Sequence, residues 1–539
     1  MKNIEILKNK VGYQIFPLTF KDSNGDGIGD LKGIESKLPY LKELGIDIIW
    51  LCPIYQSNFA DAGYDVIDYY KIEAKFGTME DFESLIKSAK ALGIEIMMDF
   101  VINHASTNSY EFQQACLSKA NPYHDFFVWD DQPNLADESI FGGSAWEYVE
   151  AVNSYYLHIF TKEQADFNFH SENFRNWIYK ILEFWIEKGV KYFRFDAIEH
   201  IGKTTKPYEI RYGKYNHHFL KEIADKVTSK YEVYIIGESW NVSPEIMKQY
   251  CLEDKIVDSF FNFSNLFFDW KNENGSLAKI KNPVDWTDLN GYFKWQESGL
   301  ITSTSWTNHD VPRAIDRYFQ TNLKNRYYAQ SAMITLLLTT KGIPFLYQGE
   351  EFAMAYMQIN SLTDFQDQQV HLREQEFVET KGYSKEEYLQ ANAQGSRDLS
   401  RAIMAWDNSD HSGFSSKTAQ PLYNPTNDWD KINAAKDLNQ KTKSVYQFTK
   451  ALIALRKSAM GSIFYDFDQI KIIELTKEIV SYQLIKNQQS VFVNINWTDT
   501  KVSLANKRKI NKIIMSNYNQ KRFCSRRLMP FEATIYEGE

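Results

Sequence analysis

The stretch GVKYFRFDAIEH (189–200) decides the fold. A short run of Val, Tyr and Phe ends abruptly on a carboxylate, Asp196. Residues 171–188 ahead of it repeat apolar positions at helical spacing, and 216–229 beyond it do the same. A strand that is apolar on both faces, flanked by amphipathic helices, belongs in a parallel sheet covered by helices. The same unit recurs outward in both directions. Toward the N-terminus, strands at 11–16, 46–51 and 94–100 alternate with helices at 32–44 and 79–92. Toward the C-terminus come strands at 233–237, 256–260, 300–305 and 343–346, with helices at 326–340 and 445–456. About eight such units predict an α/β fold of the (β/α)₈ TIM-barrel kind.

Two segments break the rhythm. Residues 105–169, with the turn-prone FGGS at 141–144, are rich in aromatic, Asn, Ser and Gly residues and predict an inserted subdomain after the third strand. The last part of the chain alternates in period two at 470–475, 479–484 and 490–495, which predicts a C-terminal antiparallel β-domain. The expected division is therefore a barrel over 1–104 and 170–458, an insert over 105–169 and a β-domain over 459–539.

Composition narrows the function. The net charge of −9 is dispersed and 43% of residues are hydrophobic, so neither nucleic acid nor an anionic membrane is an expected partner, and a small neutral substrate is. No apolar run is long enough to span a membrane, and the first ten residues lack a signal-like apolar core. The four cysteines, Cys52, Cys116, Cys251 and Cys524, are scattered without metal or disulfide spacing. A cytoplasmic, monomeric enzyme is expected. His217 and His218, and the basic residues of 507–512, read as surface features.

Barrel active sites lie at the C-terminal ends of the strands. Here polar residues directly follow several of them: DFVINH (99–104), Asp196, GESW with Glu238, and TNHD (307–310). One acidic residue after a strand is ordinarily a helix cap or a solvated loop charge. Four such endings on one rim converge instead, bringing Asp196, Glu238 and Asp310 together with His104, Arg194 and His309. Glycoside hydrolysis needs this set: one carboxylate at the anomeric carbon and one protonated carboxyl at the leaving oxygen. Arg194, on the same strand face as Asp196, is expected to keep that carboxylate ionised, and burial is expected to keep Glu238 protonated near neutral pH.

These motifs resemble glycoside hydrolase family 13, the α-amylase family. DFVINH, FRFDAIEH (193–200), IIGES (235–239) and TNHD look like its successive signatures, QADFN (164–168) like a fifth, and GIPFLYQGEE (342–351) like its eighth-strand segment. The resemblance implies a retaining enzyme with Asp196 as nucleophile, Glu238 as acid/base and Asp310 as transition-state stabiliser, the first two about 5 Å apart. It also implies glucose contacts from Asp61, Tyr64, His104, Arg194 and His309. Within the family the chain is similar to the oligosaccharide α-glucosidase branch, which adds Arg397 and Arg401 near the terminal glucose and Phe141 and Phe160 as pocket walls. An exo-acting α-glucosidase cutting α-1,6 or α-1,4 links is the implied activity; trehalose-6-phosphate hydrolase, a sucrose-active hydrolase or isomerase, and a non-catalytic binding homologue are the alternatives. Ala197, the segment FFNFSN (260–265) and Ala402 with Ile403 depart from the branch pattern and leave linkage preference open.

Residues 22–30, DSNGDGIGD, alternate hard oxygen donors and open like an EF-hand loop, but Gly33 stands where its bidentate Glu would be. The segment resembles the calcium loop of the same branch, which implies Ca²⁺ held by Asp22, Asn24, Asp26, the Ile28 carbonyl and Asp30. The other reading is a surface loop of Asx turns. A calcium ion here would be structural, because the two-carboxylate chemistry requires no metal.

Overall fold

The computed structural model describes residues 4–266, 270–271, 279–280, 284–319, 323–505, 509–518 and 527–538. Cys524 and part of the basic stretch 507–512 lie outside the described residues.

Eight parallel strands form the central sheet: β1 (Gly12–Ile15), β2 (Ile48–Leu51), β3 (Glu95–Val101), β4 (Tyr192–Asp196), β5 (Tyr234–Gly237), β6 (Ser259–Phe260), β7 (Ser303–Thr304) and β8 (Ile343–Tyr347). Their order is β6-β5-β4-β3-β2-β1-β8-β7. A parallel bridge between Phe261 and Ser303, with the Asn262 N–H donating to the Ser303 carbonyl at 2.8 Å, joins the two ends. The sheet closes into the expected barrel.

Strand alternation sorts the side chains. Ile48, Trp50, Met97, Tyr192, Ile236 and Phe345 share one buried cluster inside the barrel. Their neighbours Ile49, Leu51, Met98, Phe193, Phe195 and Ile235 pack outward into the larger cluster beneath the helices. Arg194 and Asp196 have the inward parity of Tyr192, so the alternation that builds the core also aims them at the barrel mouth. Gly237 permits a close approach at the end of β5. A Cβ there would lie 2.4 Å from Ile198 Cδ1 and 2.9 Å from Phe260 Cε1.

The covering helices begin at caps. The Ser171 hydroxyl accepts from the Phe174 N–H ahead of helix Glu172–Glu187, which buries Phe174, Ile178, Leu182 and Trp185. Thr78 and Asp81 form a reciprocal capping box at the start of Met79–Ala91. The single helix expected over 32–44 is two, Leu31–Ser36 and Leu38–Leu44. Pro39, in the first turn of the second, has no N–H to continue the ladder of the first.

After β3 the chain leaves the barrel. His104–Ser106 pairs antiparallel with Gln164–Asp166, and Ser154–Leu157 is the middle strand between Trp129–Asp130 and Trp146–Val149. A second excursion was not expected. Helices Gln368–Gln375 and Lys385–Gly395 contribute Val370 and Tyr388 to a small apolar cluster with Phe365 and Phe377. At the C-terminus β9 (Gln469–Leu475), β10 (Ile479–Lys486), β11 (Gln489–Asn496), β12 (Ile510–Ser516) and β13 (Ala533–Gly538) form an antiparallel sheet of order β9-β10-β11-β13-β12. It docks on the barrel through Trp497 stacked 4.3 Å from Trp286, and through Tyr482 hydrogen-bonded to Thr339. Among the described residues no helix is long and apolar enough to cross a membrane. His217 is half-buried, 2.8 Å from Asp254, and His218 is exposed.

Arg456, from helix Val445–Lys457, is buried and donates to the carbonyls of Leu338, Thr340 and Gly342 at 2.8, 2.9 and 2.8 Å. It thereby holds the turn into β8. Arg456→Ala leaves these buried acceptors without that donor, and a loss of about 3–5 kcal/mol is expected. Equilibrium denaturation of the two proteins measures it; an unchanged midpoint would remove this role.

Candidate active site

Register sets the site. Arg194 lies opposite Asp99 on β3, and Phe195 opposite Gly237 on β5, so Asp196 and Glu238 reach the same level of the rim. Arg194 Nη1 contacts Asp99 Oδ1 at 2.7 Å and Asp196 Oδ1 at 2.6 Å, while Nη2 lies 3.7 Å from Glu238 Oε2. One buried guanidinium therefore ties three strand ends together. Ala197 adopts left-handed backbone (φ 48°), and its N–H donates to Glu238 Oε2 at 2.8 Å.

Burial dominates the electrostatics. It raises the Glu238 carboxyl to about 7 against the pull of Arg194, and Glu199 and Asp310 reinforce the rise. Burial also pushes Asp196 well above the ordinary carboxylate range; Arg194 opposes this, and Glu238, Asp99 and Asp310 add to it. Arg194, at 2.6 Å from Asp196, is the group that opposes this rise, in the sense expected of it, against the loss of water and the neighbouring carboxylates. The pair titrates together, and the shorter contact from Arg194 to Asp196 places the retained proton on Glu238. Asp310 behaves oppositely. Burial would raise it, but His309, Arg397, Arg401 and Arg194 together hold it well below the usual range.

A cavity of about 410 Å³ opens over these groups. Of the expected residues, Asp61, Tyr64, His104, Phe141, Phe160, Arg194, Asp196, Glu238, Asp310 and Arg397 line it. His309 and Arg401 stand just behind. Tyr64 stacks on His309 with ring centroids 5.4 Å apart, and its hydroxyl contacts His309 Nε2 at 2.7 Å and donates to Asp99 Oδ2 at 2.9 Å. Gln14 Nε2 contacts His309 Nδ1 at 2.8 Å, which leaves Nε2 to carry the proton toward Tyr64. Burial lowers His309 to about 3 and His104 to about 4, so both rings are neutral near pH 7. Arg401 Nε donates to the His309 carbonyl at 2.8 Å. Arg397 contacts Asp61 at 3.1 Å, Asp310 at 3.2 Å and Asp367 at 2.6 Å, with its carbon centre 5.0 Å from the Phe141 ring.

The sequence reading passed over several of these partners. Asp99 was legible as the first residue of DFVINH, but its pairing with Arg194 depends on strand register. Asp367 receives both Arg397 Nε and Nη2, and nothing in its local sequence marks it. Gln164 bridges Asp61 and His104 at 3.2 and 2.9 Å. Gln369, Arg373 and Asn392 reach the cavity from the unforeseen helices; the Ser384–Glu387 capping box was the available signal for the second of them. Of the departures, Ala197 lines the cavity, whereas Ala402 and Ile403 are buried in the large core cluster.

The 22–30 loop offers only hard oxygens, a donor set of the kind Ca²⁺ takes. Its carboxylates are turned onto the loop's own N–H groups. Asp22 accepts from Asn24, Gly25 and Gly27 and from the Ser415 hydroxyl, Asp26 from Ile28, and Asp30 from Ser23 and from Gly33 at the start of Leu31–Ser36. Among the described residues no three His, Cys, Asp or Glu side chains converge where they could hold a metal ion. The donors fit calcium in kind, and binding it would require them to turn inward.

The family description "Alpha amylase, catalytic domain" matches residues 14–462. The chain belongs to the α-amylase family. Among relatives, the oligo-1,6-glucosidase of Heyndrickxia coagulans is 36% identical over 98% of both chains. The glucan 1,6-alpha-glucosidase of Streptococcus pneumoniae is 34% identical, again over 98% of both. Among solved structures, an isomaltulose synthase of Erwinia rhapontici in complex with sucrose superposes with a TM-score of 0.92 at 31% identity, covering 98% of each chain. A trehalulose synthase does so with a TM-score of 0.91 at 31% identity, covering 98% of this chain and 99% of the other.

In this family member the turn after β4 carries a backbone cost, since Ala197 is left-handed without being glycine. A β-branched side chain raises that cost, by about 1–3 kcal/mol. Ala197→Val is thus expected to lower the thermal midpoint while Ala197→Gly leaves it nearly unchanged; equal midpoints for both variants would contradict the strain.

Proposed function

We propose that the protein is a retaining, exo-acting α-glucosidase that removes glucose from short oligosaccharides through α-1,6 and α-1,4 links. The observation that carries the reading is the Asp196–Glu238 pair held on Arg194, one proton between them, lining a cavity of about 410 Å³. In this reading Asp196 attacks the anomeric carbon while Glu238 protonates the departing oxygen, giving a covalent glucosyl-enzyme. Glu238, now a carboxylate, takes a proton from water as that water attacks the same carbon. The double displacement retains configuration. Asp310, kept anionic by its cations, accepts hydrogen bonds from sugar hydroxyls as positive charge grows on the ring. Tyr64 offers a flat face to the sugar, and Asp61, His104 and Arg397 line its polar edge, with Phe141 and Phe160 walling it in. The wall of side chains favours a chain end over the middle of a polymer.

The names of the relatives support α-1,6 cleavage. The fold shared with isomaltulose and trehalulose synthases supports a second reading in which sucrose is the substrate. Convergence of all three carboxylates speaks against a non-catalytic binding homologue. Among the described residues Cys52, Cys116 and Cys251 are free, which fits a reducing cytoplasm.

A substrate panel of p-nitrophenyl α-glucoside, isomaltose, maltose, sucrose and trehalose 6-phosphate tests the reading. Release of glucose from the first three is expected; cleavage of the phosphorylated sugar alone, or rearrangement of sucrose without hydrolysis, would replace it. Asp196→Ala and Glu238→Gln should each lower turnover by roughly 10²–10⁴-fold or more with the fold intact. Since Glu238 acts as an acid only when protonated, kcat/KM should fall as pH rises through about 7. It should fall again at lower pH as Asp196 takes up a proton. A rate independent of pH between 6 and 9, that is roughly one unit or more either side of the expected limb, would refute the pairing.

We further propose that Ca²⁺ binds the 22–30 loop as a structural ion. Calcium in excess over EDTA should raise the thermal midpoint, and Asp22→Ala should abolish the rise. Equal midpoints in calcium and EDTA would leave the loop as a set of Asx turns.

A further inference from the structure

Glu199 follows Asp196 by three residues and lines the cavity, yet beyond its charge beside Glu238 no role described above uses it. Its side chain is buried, and both oxygens are committed to the turn after β5. Oε2 accepts from the Ser239 hydroxyl at 2.6 Å and from the Asn241 N–H at 3.2 Å; Oε1 accepts from Asn241 Nδ2 at 3.0 Å. Tyr212 closes the arrangement. Its N–H donates to the Glu199 carbonyl at 2.7 Å and its hydroxyl to Ser239 Oγ at 2.8 Å. The turn held in this way begins with Glu238 and presents Trp240, 38% exposed, to the cavity.

We propose that Glu199 is a positioning residue for Glu238, bracing the 239–241 turn so that the Glu238 carboxyl meets the glycosidic oxygen at a fixed place. The inference rests on the reading of Glu238 as general acid and base. A carboxylate is suited to the task because it accepts three hydrogen bonds at once from a turn that would otherwise be free to shift. Displacing an acid by a fraction of an ångström costs catalysis heavily.

The same residue acts through charge. Around Glu238 stand Arg194, Asp196, Asp310, Tyr212 and Glu199; burial raises it most, Arg194 opposes, and Glu199 is among the charges that raise it further. Two cationic candidates face Glu199 itself. His200 Nε2 lies at 3.4 Å, but burial lowers that ring to about 3, so it brings no charge near pH 7. Arg211 Nε lies at 3.7 Å on a side chain 47% exposed, where water screens it. Removing the Glu199 charge therefore lets Glu238 lose its proton at lower pH.

The test compares kcat/KM on maltose and isomaltose with kcat/KM on p-nitrophenyl α-glucoside, whose leaving group needs little protonation. In Glu199→Gln a loss of roughly tenfold or more is expected on the disaccharides and within about twofold on the aryl glucoside, with the alkaline limb displaced to lower pH. Ser239→Ala keeps the charge and loosens the turn, so it should show the same substrate discrimination with an unmoved limb. If Glu199→Gln does not fold by circular dichroism, Ser239→Ala carries the discrimination alone. Equal losses on both substrate types, no loss, or an unmoved alkaline limb in a folded Glu199→Gln overturns the proposal. Glu238→Gln run in parallel separates the two readings: retained disaccharide turnover there defeats the acid/base assignment, whereas an inactive Glu238→Gln beside an indifferent Glu199→Gln defeats only the positioning role.

Discussion

Everything in the site depends on one guanidinium buried at the mouth of the barrel. Arg194 contacts carboxylates from β3, from its own strand and from the end of β5. Three carboxylates around one cation leave an excess of negative charge in a place with little water to disperse it. Such an arrangement is costly unless a proton stays bound. The barrel thus builds an acid and a carboxylate from two like side chains by depriving them of solvent and dividing one cation unequally between them.

A second cationic centre balances the first. Arg397 joins Asp61, Asp310 and Asp367, and Arg401 joins Asp310 from behind. Asp310 meets two guanidinium groups directly, so it keeps its charge while Glu238 keeps its proton. Two carboxyls on neighbouring parts of one rim are driven in opposite directions by the ratio of guanidinium groups to carboxylates around each. The elements that supply the second centre come late in the chain, so the cavity is complete only when the segment 368–401 packs back against the loop after β7 and the insert after β3.

The barrel was readable because its signals are local. Apolar alternation at 190–196 and helical spacing on either side follow from backbone periodicities of two and 3.6 residues, which need no knowledge of distant chain. The strand-end residues Asp196, Glu238 and Asp310 were readable for the same reason. The break at Lys37 was less so, although Pro39 signalled it. Helices Gln368–Gln375 and Lys385–Gly395 escaped notice because their apolar residues are sparse and pack into a small cluster of their own.

What the sequence determined by itself was the order of strands and helices, and the identity of the groups that end those strands. Residue parity also assigned Arg194 and Asp196 to one face. Tertiary structure alone decided which partners each charge meets: Asp99 through register, Asp367 and Glu199 through folding of remote turns. It also decided where the proton rests, because a carboxyl's affinity for a proton is set by burial and by distances to charges carried on other strands and loops, neither of which is written in any local stretch of chain.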